Sequence, residues 1–214
     1  IERAVKSVNA AGIDEVIVAD GGSDDRTPQL ATQSGASVVH GERGRAVQLN
    51  LGAQHATGDI LLFLHADNWL DETAGEQMCA CLGDGSILAG AFEQHIEADG
   101  VLYRLLERGN SLRARWRGLA YGDQAIFIRR DIFDQLGGFP QVKLMEDLLL
   151  MRALRKIGSK LQLLPGPVHV HPRRWQQRGV VRQTLCNWSL LCSERLGVAP
   201  DRLAKFYPSH DHLN

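Results

Sequence analysis

Along this chain the spacing of apolar residues switches repeatedly between a helical and an extended period. Ile1, Val5 and Val8 share one helical face and predict an opening helix. Glu15 to Ala19 (EVIVA) is a short apolar run that ends in Asp20 and meets Gly21, Gly22 and Ser23, which predicts a strand and the turn that leaves it. A helix from about Thr27 to Ser34 closed by Gly35, a strand from Ala36 to His40 and a helix from Arg45 to Ala56 follow. Gly58-Asp59 then punctuates the chain before Ile60 to Asp67 (ILLFLHAD), an apolar run without polar alternation that stops on a carboxylate. Such a run reads as a strand buried on both faces of a parallel sheet, and ligands of such sheets lie just beyond the strands' carboxyl ends.

The pattern continues with a helix over Asp71–Leu82, a strand over Ile87–Ile96 and an irregular helix over Val101–Trp116, interrupted at Gly109-Asn110-Ser111. Ala125–Ile128 predicts a strand, and Arg130–Leu136 a short helix ended by Gly137-Gly138. Met145–Ile157 is a helix with Leu148, Met151, Leu154 and Ile157 on one stripe and Gly158 as its cap. A short strand over Lys160–Leu164 precedes Pro165-Gly166-Pro167, and Val180–Leu196 forms a last helix. Strands alternating with helices at this spacing predict right-handed βαβ units and a mostly parallel sheet, an α/β fold. A helix ahead of every strand is an odd start for such a sheet, so a strand upstream of Ile1 is expected.

Composition narrows the function classes. At 214 residues and 44% hydrophobic content the chain can bury one core, which predicts a single domain over 1–214 with a C-terminal helix and tail over 176–214. A net charge of -1 gives no basic field for nucleic acid. Cys79, Cys81, Cys186 and Cys192 are too few for a secreted disulfide scaffold and lack zinc-finger spacing, so free thiols in a reducing compartment are expected. No apolar run reaches the length of a membrane span and no signal-peptide pattern opens the chain, so a cytoplasmic location is expected.

Two carboxylates at two strand ends, Asp20 and Asp67, suggest one shared site. Asp20 is placed to accept from a nucleobase N–H or a ribose hydroxyl, with Gly21 and Gly22 letting the backbone approach the ligand. The competing account makes Asp-Gly-Gly-Ser a turn into a helix capped by Asp24 or Asp25. Asp67 is a candidate ligand for Mg²⁺ or Mn²⁺, and a helix N-cap before Trp69 is its rival role. Glu146-Asp147 opens a helix, where the dipole favours ionised carboxylates with or without chemistry. Arg173, Arg174 and Arg178 flank Trp175, and guanidinium forks match diphosphate oxygens. His169 and His171 flank Val170 on an extended segment, and His171 is the candidate to complete a metal site. Arg113, Arg115 and Arg117 around Trp116 fit a phosphorylated acceptor, an anionic membrane or a solvated basic face. The stripe Val180, Val181, Leu185, Trp188, Leu191 and Cys192 is open to closing the core, to a homodimer or to a peripheral membrane contact.

These residues also carry a resemblance. Ala19-Asp20-Gly21-Gly22-Ser23-Asp24-Asp25-Arg26-Thr27 resembles the nucleotide-binding turn of the inverting family 2 glycosyltransferases. Gly44-Arg45 with Asn50 and Gly52, then Ala56 with Gly58-Asp59, the ILLFLHAD strand, Gly137-Gly138-Phe139, Glu146-Asp147 and Arg173-Arg174-Trp175 repeat that family's order over nearly the whole chain. His65-Ala66-Asp67, Gly122-Asp123-Gln124 and Leu196-Gly197-Val198 with Pro200 resemble a small bacterial subfamily associated with radical-SAM and selenodomain proteins or with arsenosugar synthesis. The resemblance implies a three-layer α/β/α GT-A fold, a nucleotide diphosphate sugar donor, most often a UDP-sugar, a divalent cation, Mn²⁺ or Mg²⁺, and an acceptor hydroxyl of unknown identity. It implies Asp147 as general base; Asp20, Gly21, Gly22, Ser23, Arg45, Asn50, Asp67, Arg174 and Trp175 around the donor; Asp67 and His171 at the metal; and Gly122, Asp123, Gln124 and Glu146 in the acceptor loop. His65 stands where the family normally has the first Asp of Asp-x-Asp. Two rivals keep the fold: a non-catalytic nucleotide-sugar binder and a sugar nucleotidyltransferase.

Overall fold

The computed structural model describes residues 1–83 and 85–207, and the end of the expected tail lies outside them. In chain order the elements are α1 (Glu2–Ala10), β1 (Ile17–Asp20), α2 (Thr27–Gln33), β2 (Ser37–His40), α3 (Arg45–His55), β3 (Ile60–Phe63) and β4 (Asn68–Leu70). They continue with α4 (Ala74–Leu82), β5 (Ala89–Ile96), α5 (Val101–Arg117), a 3₁₀ turn (Gly122–Gln124), β6 (Ile126–Arg129), α6 (Arg130–Gln135) and α7 (Glu146–Lys156). β7 (Leu161–Val170), α8 (Arg173–Arg178), α9 (Val180–Arg195) and α10 (Pro200–Leu203) complete the fold, before a last 3₁₀ turn at Ala204–Phe206.

The chain is an α/β fold with helices on both faces of a mixed sheet, because the strands bury both of their faces. On β6, Ile126 and Ile128 enter one core with Leu148, Met151 and Leu154 of α7, while Phe127 enters the other with Val8 of α1 and Met78 of α4. Side chains of period two facing two apolar layers leave no polar positions, which accounts for the unbroken runs in the sequence.

The sheet is mixed, as the GT-A resemblance implies, with more antiparallel pairing than the alternation of strands and helices suggests. β1 and β2 pair in parallel as a two-stranded sheet, and the larger sheet runs β3-β6-β5-β7-β4. There β5–β7 is parallel, whereas β3–β6, β5–β6 and β4–β7 are antiparallel. Periodicity locates a strand but not the end of the sheet to which a connection returns: α5 and the following turn bring the chain back to the end that β5 has just reached. The carboxyl ends of β3 and β7 and the amino ends of β4 and β6 therefore share one edge. β1 and β3 do not pair among the described residues, and both line a cavity of about 590 Å³ walled by apolar residues that include Val5, Val8, Val18, Leu62 and Met78.

Three local expectations also change. α5 runs unbroken through Gly109-Asn110-Ser111, because Asn110 donates to Gln94 (2.6 Å) and accepts from Arg113 (2.7 Å) instead of breaking the helix with its own backbone. β7 continues past Pro165-Gly166-Pro167 through a bulge opposite Phe92–Gln94, where the Gln77 amide bonds both the N–H and the carbonyl of Gly166. Asn68–Leu70 is a strand, so Asp67 caps no helix.

Candidate active site

The turn after β1 is built from its own atoms. Asp20 is buried, and its carboxylate accepts from the amides of Gly22 (3.1 Å) and Ser23 (3.1 Å), from the Ser23 hydroxyl, and faces His40 Nδ1 at 3.4 Å. Burial pushes this carboxyl up, but the Ser23 and Gly22 hydrogen bonds outweigh it and hold the group below the usual carboxylate range. Gly22 has φ +87°, a left-handed conformation that explains a glycine there. Neither Asp24 nor Asp25 is the N-cap of α2: Arg26 holds that position, and Asp25, one residue ahead of it, accepts from the Thr27 amide at 2.9 Å. Gln48, which the sequence reading missed, fastens the turn to α3 by donating to Ala19 O (2.8 Å) while accepting from the Gly44 amide (3.2 Å).

Across the sheet edge, Arg45 at the first position of α3 joins the acid pair that opens α7. Its Nε lies 2.9 Å from Glu146 Oε1, its Nη2 3.9 Å from Asp147 Oδ2 and 3.3 Å from His65 Nε2. The Arg45–Glu146 contact is close but not directed as a hydrogen bond, since Arg45 Nε and both Glu146 oxygens are buried without one. It is a charge pair. Burial pushes the fully buried Glu146 carboxyl up against the pull of Arg45, and Asp147 adds to the rise. Burial also works against the Arg45 charge, yet Glu146 and Asp147 raise its pKa overall. Asp147 Oδ2 accepts from the Gly122 amide and Oδ1 from the Leu148 amide, each at 2.7 Å. A Cβ on Gly122 would stand 2.6 Å from His65 Nε2 and 3.0 Å from Arg45 Nη2, so this glycine lets the 3₁₀ turn lie against the site.

Asp123 completes that turn. Its carbonyl accepts from Gln94 (3.1 Å) and its Oδ1 is buried without a hydrogen bond among the described residues. Burial raises its pKa, with Arg113 and Gln94 opposing and Asp147 adding. Arg174 of α8 donates to the Tyr207 hydroxyl, and both Arg174 and Arg45 lie within electrostatic reach of that phenol, whose pKa burial raises. Trp175 is half-buried on the same short helix. Tyr207 had no signal in the sequence, because a lone aromatic outside a periodic segment predicts nothing.

Asp67 is exposed in the turn between β3 and β4. The β4–β7 ladder ends at Asn68↔Val170, so Asp67 directly precedes it and His171 directly follows it in the chain. His171 is exposed, and its Nδ1 accepts from the Arg173 amide at 3.1 Å. A carboxylate suits Mn²⁺ or Mg²⁺, and an added imidazole would favour Mn²⁺ of the two. No cluster of three or more His, Cys, Asp or Glu side chains that could hold a metal occurs among the described residues.

Other expected site residues serve the scaffold. Both ends of the Asn50 amide are spent on the Phe139 backbone, at 2.8 and 2.9 Å, so Asn50 fixes the Gly138-Phe139 loop to α3 rather than facing a donor. Gln124 is fully buried, accepting from Arg113 (2.7 Å) and donating to Phe92 O (3.4 Å), and faces no acceptor. Arg113 is not a solvated cation: it bonds Leu119 O, Asn110 and Gln124 and stacks over Tyr121 at 3.7 Å. His169 is held by Glu97 (2.6 Å) and stacked on Trp69.

Two solved structures share this architecture. TarS of S. aureus in complex with UDP superposes with a TM-score of 0.61 at 15% identity, over 83% of this chain and 58% of that one. Glucosyl-3-phosphoglycerate synthase of Mycobacterium tuberculosis, in complex with Mn²⁺, UDP-glucose and phosphoglyceric acid, superposes with a TM-score of 0.53 at 19% identity, over 86% and 72%. Both likenesses are of fold, an α/β domain with a mixed sheet. The chain belongs to glycosyl transferase family 2, whose model matches residues 1–140. A TPR repeat-containing protein of Synechococcus elongatus is 30% identical over 204 residues, 87% of this chain but 46% of that protein, so the chain spans less than half the length of this relative.

Proposed function

We propose that the protein transfers a sugar from a nucleotide diphosphate donor, a UDP-sugar, to an acceptor hydroxyl with inversion at the anomeric carbon. The observation that carries this reading is the grip on Asp147: its carboxylate accepts from the Gly122 and Leu148 amides and lies beside Arg45, which also faces His65, two residues before Asp67. Asp147 takes the acceptor proton as the hydroxyl oxygen bonds to the anomeric carbon, and the bond from that carbon to the diphosphate breaks, releasing the nucleotide diphosphate. A divalent cation held by Asp67 and His171 would offset charge on the leaving diphosphate. Arg174, with Trp175 beside it, supplies a guanidinium to the same oxygens. Gly22 and Ser23 lend the backbone against which the nucleotide lies. The complexes of the two structural neighbours, with UDP in one and with Mn²⁺ and UDP-glucose in the other, support the donor class and the cation. The kinship with the radical-SAM, selenodomain or arsenosugar subfamily rests on its three short segments alone.

Calorimetric titration of UDP and of GDP, each with and without Mn²⁺, repeated on Asp67→Ala, tests this reading. Cation-dependent binding of UDP that Asp67→Ala abolishes is expected. Absence of binding to folded protein overturns the donor assignment. Binding without turnover on any acceptor or on water would leave a nucleotide-sugar binder, and pyrophosphate release from a nucleoside triphosphate and a sugar phosphate would reveal a nucleotidyltransferase.

A further inference from the structure

Helix α5 is built inside out. Its solvent side carries Val101, Leu102, Leu105, Leu112 and Trp116, all at least half exposed, with Trp116 at 83%. Residues 101, 105, 112 and 116 recur at helical spacing and form one stripe, with exposed Gly109 at its centre. The inward side is polar. Arg104 bonds the carbonyls of Ile96 and Ala98 and pairs with Glu107, while Asn110 and Arg113 bond Gln94, Gln124 and Leu119 O. The one acidic residue of the helix, Glu107, is thus turned inward, whereas Arg108 and Arg117 are exposed along the stripe and Arg115 beside them pairs with Glu93 of β5.

Helix α9 repeats the plan. Val181, Leu185 and Trp188 are 58–64% exposed, Cys192 lies on the same side, and exposed Arg182 and Arg195 border the stripe. Its inward side buries Gln183 and Leu190.

We propose that the outer face of α5 is a docking surface for an anionic lipid bilayer, which the protein meets at the interface without crossing it, the outer face of α9 being a second patch of the same chemistry. A Trp and aliphatic side chains at headgroup depth, with guanidiniums bound to lipid phosphates alongside, is the chemistry of an interfacial helix. Charge selects this occupant over a second copy of the chain. Two arginine-bordered stripes brought together would oppose like charges, whereas an anionic headgroup layer neutralises them. No helix among the described residues is long and apolar enough to cross a membrane, so the contact is superficial. This inference does not rest on the transfer reaction.

The test is co-sedimentation of the protein with vesicles of phosphatidylcholine alone and of phosphatidylcholine mixed with phosphatidylglycerol, at low and high salt. Binding to the mixed vesicles that weakens with salt is expected, with loss in Trp116→Ser combined with Leu105→Ser. Each of Arg108→Gln and Arg117→Gln should lower partition about fivefold. These side chains are exposed, and an unchanged circular dichroism spectrum verifies that each variant is folded. Failure of folded protein to bind the mixed vesicles overturns the proposal. So does binding that the stripe variants leave unaltered. Concentration-dependent dimerisation abolished by Trp116→Ser, without vesicle binding, would assign the face to a second copy instead.

Discussion

The turn at Asp20 and the acid pair at Glu146-Asp147 solve one problem, holding carboxylates at a sheet edge, in opposite ways. Asp20 is satisfied by neighbours two and three residues away and is pushed toward its charged form. Glu146 is satisfied by nothing nearby in sequence: it faces a single guanidinium from another helix, and burial pushes it toward its neutral form. A carboxylate held locally is rigid and autonomous. One held by a distant charge ties two elements together and transmits any change in either.

The sharpest way to break the comparison is at Asp147. Asp147→Asn keeps the shape but loses the base, and kcat should fall about 10²- to 10⁴-fold with the affinity for UDP nearly unchanged. An equal loss of UDP affinity would make Asp147 part of the donor site. Next is Arg45→Met, which strands Glu146: urea unfolding should show a loss of about 3 kcal/mol, much of it recovered in combination with Glu146→Gln. Simple additivity of the two changes would mean that they do not form a pair. Gly122→Ala sharpens the contrast between site and scaffold. Its methyl would press on His65 and Arg45, the far ends of flexible side chains, so activity should drop about tenfold or more while the melting temperature moves little. Gly22→Ala forces a side chain into a left-handed conformation and should cost about 1 kcal/mol, with its functional effect confined to nucleotide affinity.

The smallest effect is one of sign. Asp20, with its pKa lowered on folding, adds stability that is present above the unfolded value of about 3.9 and is lost as pH falls through the folded value. Glu146, with its pKa raised, does the reverse: its protonation favours the fold fully below about 4.3, and that contribution is lost as pH rises through the folded value. Stability–pH curves of Asp20→Asn and Glu146→Gln should therefore depart from the parent in opposite directions. Departures of the same sign would refute the contrast.

The same contrast governs what could be read from the sequence. β1, its turn and α7 were legible because short-range periodicity and turn residues encode them. The Arg45–Glu146 pair, the use of Asn50 on Phe139 and the contact of Arg174 with Tyr207 link residues far apart in the chain, where no local pattern reports the partner. A phosphorylated acceptor, an anionic membrane and a solvated face were all open to Arg113, and only the polar interior beneath α5 explains its burial. The strand order was hidden for a related reason, since antiparallel β6 depends on where a long connection ends.

Strand β5 also sets a rate. It is bonded to β6 on one side and to β7 on the other, so its amides exchange only when ladders on both sides open. Helix α7, which opens with Glu146-Asp147, shares a core with the next strand of that sheet, Leu148, Met151 and Leu154 meeting Ile126 and Ile128. The acid pair is thereby anchored to the part of the molecule that opens last.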